Sequence, residues 1–169
     1  LLLLFYSKKF MNKIDFQQIH WRENVNPQGQ TPIYTYGERK VVKCQFSQKQ
    51  AEKDKFEKDW NLGRFRNNKH IVCIEGFEAI PTKIPKGVYN LYFIMPRMEG
   101  NLSQHLSSFR DQISLEHLLQ YFSDLVNGVR SLHRQRIIHG NINLFNILVD
   151  KEDNLKLSDF SHALSLDDI

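Results

Sequence analysis

Residues 137 to 161, IIHGNINLFNILVDKEDNLKLSDFS, concentrate the groups able to do chemistry. His139 opens a polar loop, Asn146 follows seven residues later against a short apolar run, and Asp159-Phe160 closes the next one. An Asn carboxamide and an Asp carboxylate on neighbouring loop ends offer hard oxygen ligands to a metal ion. Transfer of a phosphoryl group from a nucleotide needs such an ion to bridge phosphate oxygens. Asn146 and Asp159 are the candidate ligands for such an ion. Taken alone, Asp159 is equally a turn-forming residue at a strand end.

The elements that must position this loop follow from periodicity. Ile33 to Tyr36 and Lys40 to Cys44 read as two strands separated by Gly37 and Glu38, a hairpin signature. A polar, charged stretch from Ser47 to Asp59 leads into a helix-like segment with Phe56, Trp60 and Phe65 near one face. Ile71 to Ile74 and Tyr89 to Met95 read as further strands, joined by a loop holding Pro81 and Pro85. Ser114 is a helix cap with Glu116 in the first turn. Behind it Leu118, Leu119, Phe122, Leu125, Val126, Val129 and Leu132 recur at helical spacing. Ile147 to Val149 and Leu155 to Leu157 then flank a turn at 150–154. The order predicts an α+β fold of two lobes. Its expected divisions are a tail at 1–14, a sheet-rich lobe at 15–98 and a helical lobe at 99–169.

From about residue 16 onward the ordered set of motifs resembles the protein kinase superfamily. RKVVKC resembles the third strand, which makes Lys43 the lysine for the nucleotide phosphates and Ile33 a residue over the nucleotide. KFEKDWNLGRF followed by KHIV resembles helix C and the fourth strand. NLYFIMPRMEGNLSQHL resembles the fifth strand, the hinge and the next helix, and LVNGVRSLH the end of the long helix that precedes the catalytic loop. The resemblance implies ATP and Mg²⁺ as ligands. It places Met95 at the back of the adenine pocket, with the Pro96 carbonyl and the Met98 N–H at the adenine edge. It implies a two-lobed kinase fold running through the Asp-Phe-Gly position, and it makes His139 a packing and hydrogen-bonding residue.

The departures from the family are as informative. Its H-R-D triplet reads His139-Gly140-Asn141 here, and Asn has the shape of Asp without its basicity. General acid–base catalysis contributes typically ~10²–10⁴-fold, so phosphotransfer is expected to be crippled. Asn143 stands where the family commonly has a Lys. This loop is similar to the pseudokinase domains of Janus kinases. The three phosphate-loop glycine positions read Asn26, Gln28 and Thr31, with Gly29 out of register and Pro32 lacking a donor. Asp59 falls where the family has the glutamate that pairs with the strand lysine, and Glu57 lies about 200° around that helix. Gly63 falls on a bulky spine position, and Ser161 replaces the Gly after Asp-Phe.

Composition bounds the rest. The chain of 169 residues carries a formal charge of +4 with Lys and Arg dispersed, which argues against a nucleic-acid partner. Cys44 and Cys73 have no partner at ligand spacing and read as reduced core thiols in a cytoplasmic protein. LLLLF followed by Lys8, Lys9 and Lys13 is too short to span a bilayer. It is either the end of a membrane segment with the kinase-like part on the cytoplasmic side, or an ordinary buried strand or helix end. A start at Leu and an end at SLDDI read as a fragment. The remaining histidines (His20, His70, His105, His117, His133 and His162) show no ligand spacing. The expected function is a pseudokinase, ATP- and Mg²⁺-binding, acting on a protein partner in signalling or scaffolding. The alternative is a divergent active serine/threonine kinase phosphorylating proteins with ATP. A membrane-tethered receptor-like or stress-sensor kinase is a third.

Overall fold

The computed structural model describes residues 13–27, 31–51, 53, 68–83, 85–108 and 113–168. The expected helix with Phe56, Asp59, Trp60, Gly63 and Phe65, the position of Gly29 and the Leu1 to Phe5 run all lie outside the described residues. The chain divides into two compact units, Leu1–Arg66 with Cys73–Arg97, and Asn67–Val72 with Met98–Ile169.

The first unit is a five-stranded antiparallel sheet in the order β1-β2-β3-β5-β4. Its strands are β1 (Ile19–Asn24), β2 (Ile33–Tyr36), β3 (Lys40–Lys49), β4 (Gly76–Pro81) and β5 (Val88–Pro96). Gly37, at φ +59°, makes the β2–β3 turn. This left-handed conformation costs glycine nothing. Successive side chains on a strand point to opposite faces, and β3 and β5 obey that rule. Val42, Cys44, Tyr92 and Ile94 pack on one face with Ile14 and Ile19. Leu91 and Phe93 pack on the other with Phe77. β5 has a packed cluster on each face, which accounts for its unbroken apolar run. Burial pushes the Cys44 thiol up to about 12. Both cysteines are thiols, Cys44 buried and Cys73 half-buried.

One strand expectation needs correction, and one strand was not expected. Ile71 to Ile74 is not a strand. Ile71 makes an isolated bridge to Leu157, the Val72 N–H donates to the Leu157 carbonyl at 2.9 Å, and the fourth strand starts only at Gly76. β1 is an additional edge strand whose register shifts between His20 and Asn24.

The second unit holds β6 (Gly100–Asn101), α1 (Leu102–Ser108), α2 (Leu115–His133), β7 (Ile137–Ile138), β8 (Ile147–Val149), β9 (Leu155–Leu157) and β10 (Leu164–Ser165). β6, β8 and β9 form one small sheet, and β10 pairs with β7. The α2 cap is as expected, with Ser114 Oγ accepting from the His117 N–H at 3.2 Å. The buried face of α2 is only partly the expected one, for Leu132 is buried and Leu125 and Val129 are half-buried. Leu118, Leu119, Phe122 and Val126 are exposed, whereas Tyr121, Asp124, Gly128 and Leu132 are buried. Gly128 is required by close approach, because a Cβ there would lie 3.0 Å from both the His70 carbonyl and a Leu157 methyl. Asp124, 1% exposed, accepts from the Leu155 N–H at 3.0 Å and from Gln120 Nε2 at 2.9 Å. His70 Nδ1 stands 3.3 Å from the same carboxylate, without hydrogen-bond alignment. A buried carboxylate thus joins α2 to the first residue of β9.

Candidate functional site

The loop between β7 and β8 is held by its own polar side chains. His139 is 2% exposed, and its Nε2–H donates to the Ser158 carbonyl at 3.0 Å. That leaves Nδ1 to accept from the Asn141 N–H at 3.3 Å. Burial lowers the His139 pKa, against the opposing pull of the Ser158 carbonyl and Asp159. The ring is therefore a neutral Nε2–H tautomer lying 4.9 Å from the Phe160 ring, a brace between the loop and the segment after β9.

Three asparagines then lock together. Asn146 Nδ2 donates to the Asn141 carbonyl at 2.9 Å. Asn143 Nδ2 donates to Asn141 Oδ1 at 3.0 Å. Asn143 Oδ1 in turn accepts from the N–H groups of Phe145 at 2.9 Å and Asn146 at 3.2 Å. The Asn146 carbonyl accepts from both the Ser158 N–H at 2.8 Å and the Ser158 hydroxyl at 2.9 Å. Asn143 therefore works as a brace that caps the turn and holds the Asn141 side chain. Because the Asn146 amide nitrogen is committed to Asn141, its amide oxygen is turned to the opposite side. That oxygen is a hard neutral ligand.

Asp159 lies two residues beyond β9 at φ +61°. Asp tolerates this left-handed conformation better than most residues. Its Oδ1 accepts from the Ser161 N–H at 3.3 Å. Ser161 is not among the described residues with positive φ, so the torsional conflict expected from losing a glycine there does not arise. The glycine that this region needs is Gly140, at φ +75°, where a Cβ would stand 2.4 Å from the His162 carbonyl. His162 Nδ1 lies 3.4 Å from Asn141 Nδ2 and 3.0 Å from Ser161 Oγ. Sequence reasoning read Asn143 only as a missing lysine, Gly140 only as part of the altered triplet and His162 as an ordinary histidine. The only signal was the glycine itself, inside a motif where the family carries a side chain.

In the sheet unit, Lys43 sits at the centre of β3, paired with Ile33 on one side and Phe93 on the other. Paired residues share a face, so Lys43 stands on the side of Phe93, opposite Cys44. Pro96 ends β5 opposite Lys40, and the Arg97 N–H donates to the Arg39 carbonyl at 2.9 Å. Met98 is half-buried and begins the second unit's main segment. The structure thus brings Ile33 and Lys43 together on the sheet, and Asn141 and Asn146 together on the loop. Gly29 and Asp59 lie outside the described residues. Among those described, no group of three or more His, Cys, Asp or Glu side chains is arranged to hold a metal. A metal here would rest on the Asn146 and Asp159 pair.

Comparison with known proteins agrees with this arrangement. The protein tyrosine and serine/threonine kinase family matches residues 33–168. The chain is similar to the proto-oncogene serine/threonine-protein kinase mos of Rattus norvegicus, 30% identical over 142 residues, covering 78% of this chain and 40% of that protein. It is likewise 28% identical over 174 residues to the mouse (Mus musculus) mos kinase, covering 92% of this chain and 49% of that relative. The transforming protein mos of a myeloproliferative sarcoma virus (isolate ts159) matches at 28% with the same coverage. The chain spans about half or less of the length of these relatives. With the match running from β2 to beyond the Asp-Phe pair, and with the sheet and loop built as described, the chain belongs to the protein tyrosine and serine/threonine kinase family.

Proposed function

We propose that this chain is the nucleotide-binding part of a kinase-family domain whose phosphotransfer is degraded, a pseudokinase-type module for signalling or scaffolding. The observation that carries the reading is Asn141. It occupies the position where the family has its proton-accepting Asp, and its amide oxygen is spent on Asn143. A carboxamide cannot accept the proton of a substrate hydroxyl, and positioned proton transfer is worth about 10²–10⁴-fold.

The residues present fit ATP with Mg²⁺. One carboxylate, Asp159, and one carboxamide oxygen, Asn146, are the hard oxygen donors that magnesium takes alongside waters and phosphates. Bound magnesium neutralises charge on the phosphates during transfer. The chain's own part is to hold Asn146 by its amide nitrogen and Asp159 by its Ser161 turn, and to supply the Lys43 ammonium to the phosphates. Ile33, Pro96 and Met98 are assigned to the adenine side by the same reading, with Gly29 and Asp59 as the remaining nucleotide-side residues.

The alternative is a divergent active serine/threonine kinase acting on protein hydroxyls, favoured by the mos relatives' description as serine/threonine kinases. Thermal shift of the purified protein in ATP, with and without Mg²⁺, tests the common ground. A Mg²⁺-dependent rise lost in Lys43→Ala and Asp159→Ala is expected. No shift at millimolar ATP would leave an interaction module with a vestigial pocket. Transfer at rates ordinary for the family, about 1–100 s⁻¹, would replace the degraded reading with the active one.

A further inference from the structure

The loop lacks a carboxylate at 141, but it does not lack a base. His162 is exposed, and its Nδ1 lies 3.4 Å from Asn141 Nδ2. Asn141 Oδ1 is taken by Asn143, so the amide end that faces His162 is the donor. The imidazole must then present its Nδ1 lone pair, which Ser161 Oγ, 3.0 Å away, also approaches. A basic nitrogen is thus turned toward the position where the family's proton acceptor would stand.

Its placement is built into the backbone. Gly140, with no Cβ, lets the His162 carbonyl approach the loop at a distance that would put it 2.4 Å from any side chain's first carbon. Immediately beyond, Leu164 pairs with Ile138 and Ser165 with Ile137, and the Leu166 N–H donates to the Arg136 carbonyl at 2.8 Å. On the other side, the Ala163 N–H donates to the Phe160 carbonyl at 3.0 Å. His162 is therefore pinned between a turn and a strand pair, both anchored to the segment that carries Asn141. The groups facing it are Asn141, Ser161 and the Gly140 backbone, with His139 and Asp159 as the nearby titratable side chains. Histidine is the side chain whose ordinary titration falls between about pH 5 and 8.

We propose that His162 is the substitute proton acceptor of this site. The inference rests on the degraded-kinase reading and supplies the route for its residual turnover. A substrate hydroxyl entering beside Asn141 displaces the long amide contact and gives its proton to His162 Nδ1. Its oxygen forms a bond to the terminal phosphorus of the nucleoside triphosphate. The bond from that phosphorus to the bridging oxygen breaks, and the diphosphate leaves with the electron pair. Because the ring is exposed, the proton passes on to solvent. The contact is longer than an ideal hydrogen bond, so this acceptor is a weaker one than a carboxylate at 141 would be.

Two measurements test it. The first needs no nucleotide: NMR of the imidazole nitrogens across pH, with His162→Gln assigning the His162 signals. Asn141→Asp places a carboxylate at Nδ1 and should move that titration upward. Signals indifferent to Asn141→Asp would overturn the contact and the proposal with it. The second is phosphate transfer from radiolabelled ATP with Mg²⁺ to a degenerate serine/threonine peptide library. Slow wild-type transfer that rises with pH through the histidine range is expected, falling on the order of 10²-fold in His162→Gln. Gly140→Val, which must push His162 away, should lose a similar factor. In Asn141→Asp the dependence on residue 162 should vanish. Transfer undiminished by His162→Gln sinks the proposal and leaves the degraded kinase standing. No wild-type transfer at any pH, with the Mg²⁺-ATP thermal shift intact, sinks it too and leaves a nucleotide-binding module without turnover.

Discussion

Lys43 and Asn141 are both placed by short segments, but by different physics. Lys43 is fixed by ladder pairing on both sides, to Ile33 and to Phe93. Its face follows from the two-residue period alone, so the side chains of its neighbours can change without moving it. Asn141 is fixed by side chains reaching backbone and by side chains reaching each other: His139, Asn143, Asn146 and His162. There each residue is both a part and a support. The sheet can drift in composition and keep its lysine. The loop can exchange one polar group for another only if the exchange keeps the hydrogen bonds, and Asp to Asn at 141 is such an exchange. Asn143 then takes the amide oxygen, which holds the Asn141 side chain in place.

The sharpest way to break this comparison is Asn141→Asp in the intact protein. If the sheet side is sound and the loop alone is deficient, phosphate transfer to peptide should rise by about 10²–10⁴-fold. A flat response would place the defect elsewhere, at the other positions read from the family resemblance, such as Gly29 or Asp59. Asn143 would then donate to a carboxylate, a stronger bond, so Asn141→Asp should not destabilise the fold.

Core truncations sharpen the comparison next. Leu91 is fully buried in the sheet, and Leu155 is 1% exposed where β9 meets Asp124. Leu→Ala at either costs about 2–5 kcal/mol in urea unfolding. The consequences should differ. Leu91→Ala should lower stability and leave the Asn141 loop's NMR signals in place. Leu155→Ala should disturb them, because β9 pairs with β8 and β8 carries the loop's end. Matching spectra in the two variants would mean that the loop is insulated from its sheet.

The part of this design that was legible in the sequence is the part carried by local rules. The β2–β3 hairpin, the β8–β9 hairpin and the Ser114 cap all follow from strand period, turn residues and capping chemistry, and the structure has them. The buried face of α2 was only partly legible. An apolar stripe at Leu118, Phe122 and Val126 outscores a face made of Tyr121, Asp124 and Gly128, yet only the latter face can admit Leu157 and satisfy the Leu155 N–H. The start of β4 was hidden for a similar reason. Ile71 to Ile74 is more apolar than the true strand, but Ile71 and Val72 are tied to Leu157 rather than to a ladder, and Ile74 packs on the Phe77, Leu91 and Phe93 cluster. At the site, candidates for the metal ligands, the strand lysine and the proton-acceptor position could all be named from the resemblance to the family's motifs. The Gly140–His162 approach could not, because it joins residues 22 positions apart that no period relates.

His139 gives a smaller effect that belongs to the loop alone. Burial lowers its folded pKa below the ordinary 6.5, so the unfolded chain takes up the proton first. Its contribution to stability is then present in full above about pH 6.5 and is lost as pH falls through the lowered folded value. Urea midpoints taken between pH 7.5 and 5 should decline. In His139→Gln, which keeps a donor for the Ser158 carbonyl, the decline should be shallower. A slope unchanged by that substitution would assign the acid sensitivity to another group.

The smallest effect is expected where the sheet relies on charge. Lys40 Nζ meets Glu75 at 2.6 Å, and both side chains remain substantially in water, at 41% and 31% exposure. Exposed pairs of this kind contribute about 0–1 kcal/mol, because screening and side-chain entropy offset the attraction. Lys40→Ala should therefore cost less than about 1 kcal/mol, and less still in high salt. The segment at Glu75 has another anchor, its N–H donating to the Ile94 carbonyl at 2.8 Å. Backbone should hold it when the charge is gone. A double-mutant cycle of Lys40→Ala with Glu75→Ala reads this directly. A coupling well above 1 kcal/mol would mean that the sheet, like the loop, depends on side chains for its geometry, and the contrast between the two regions would fail at its strongest point.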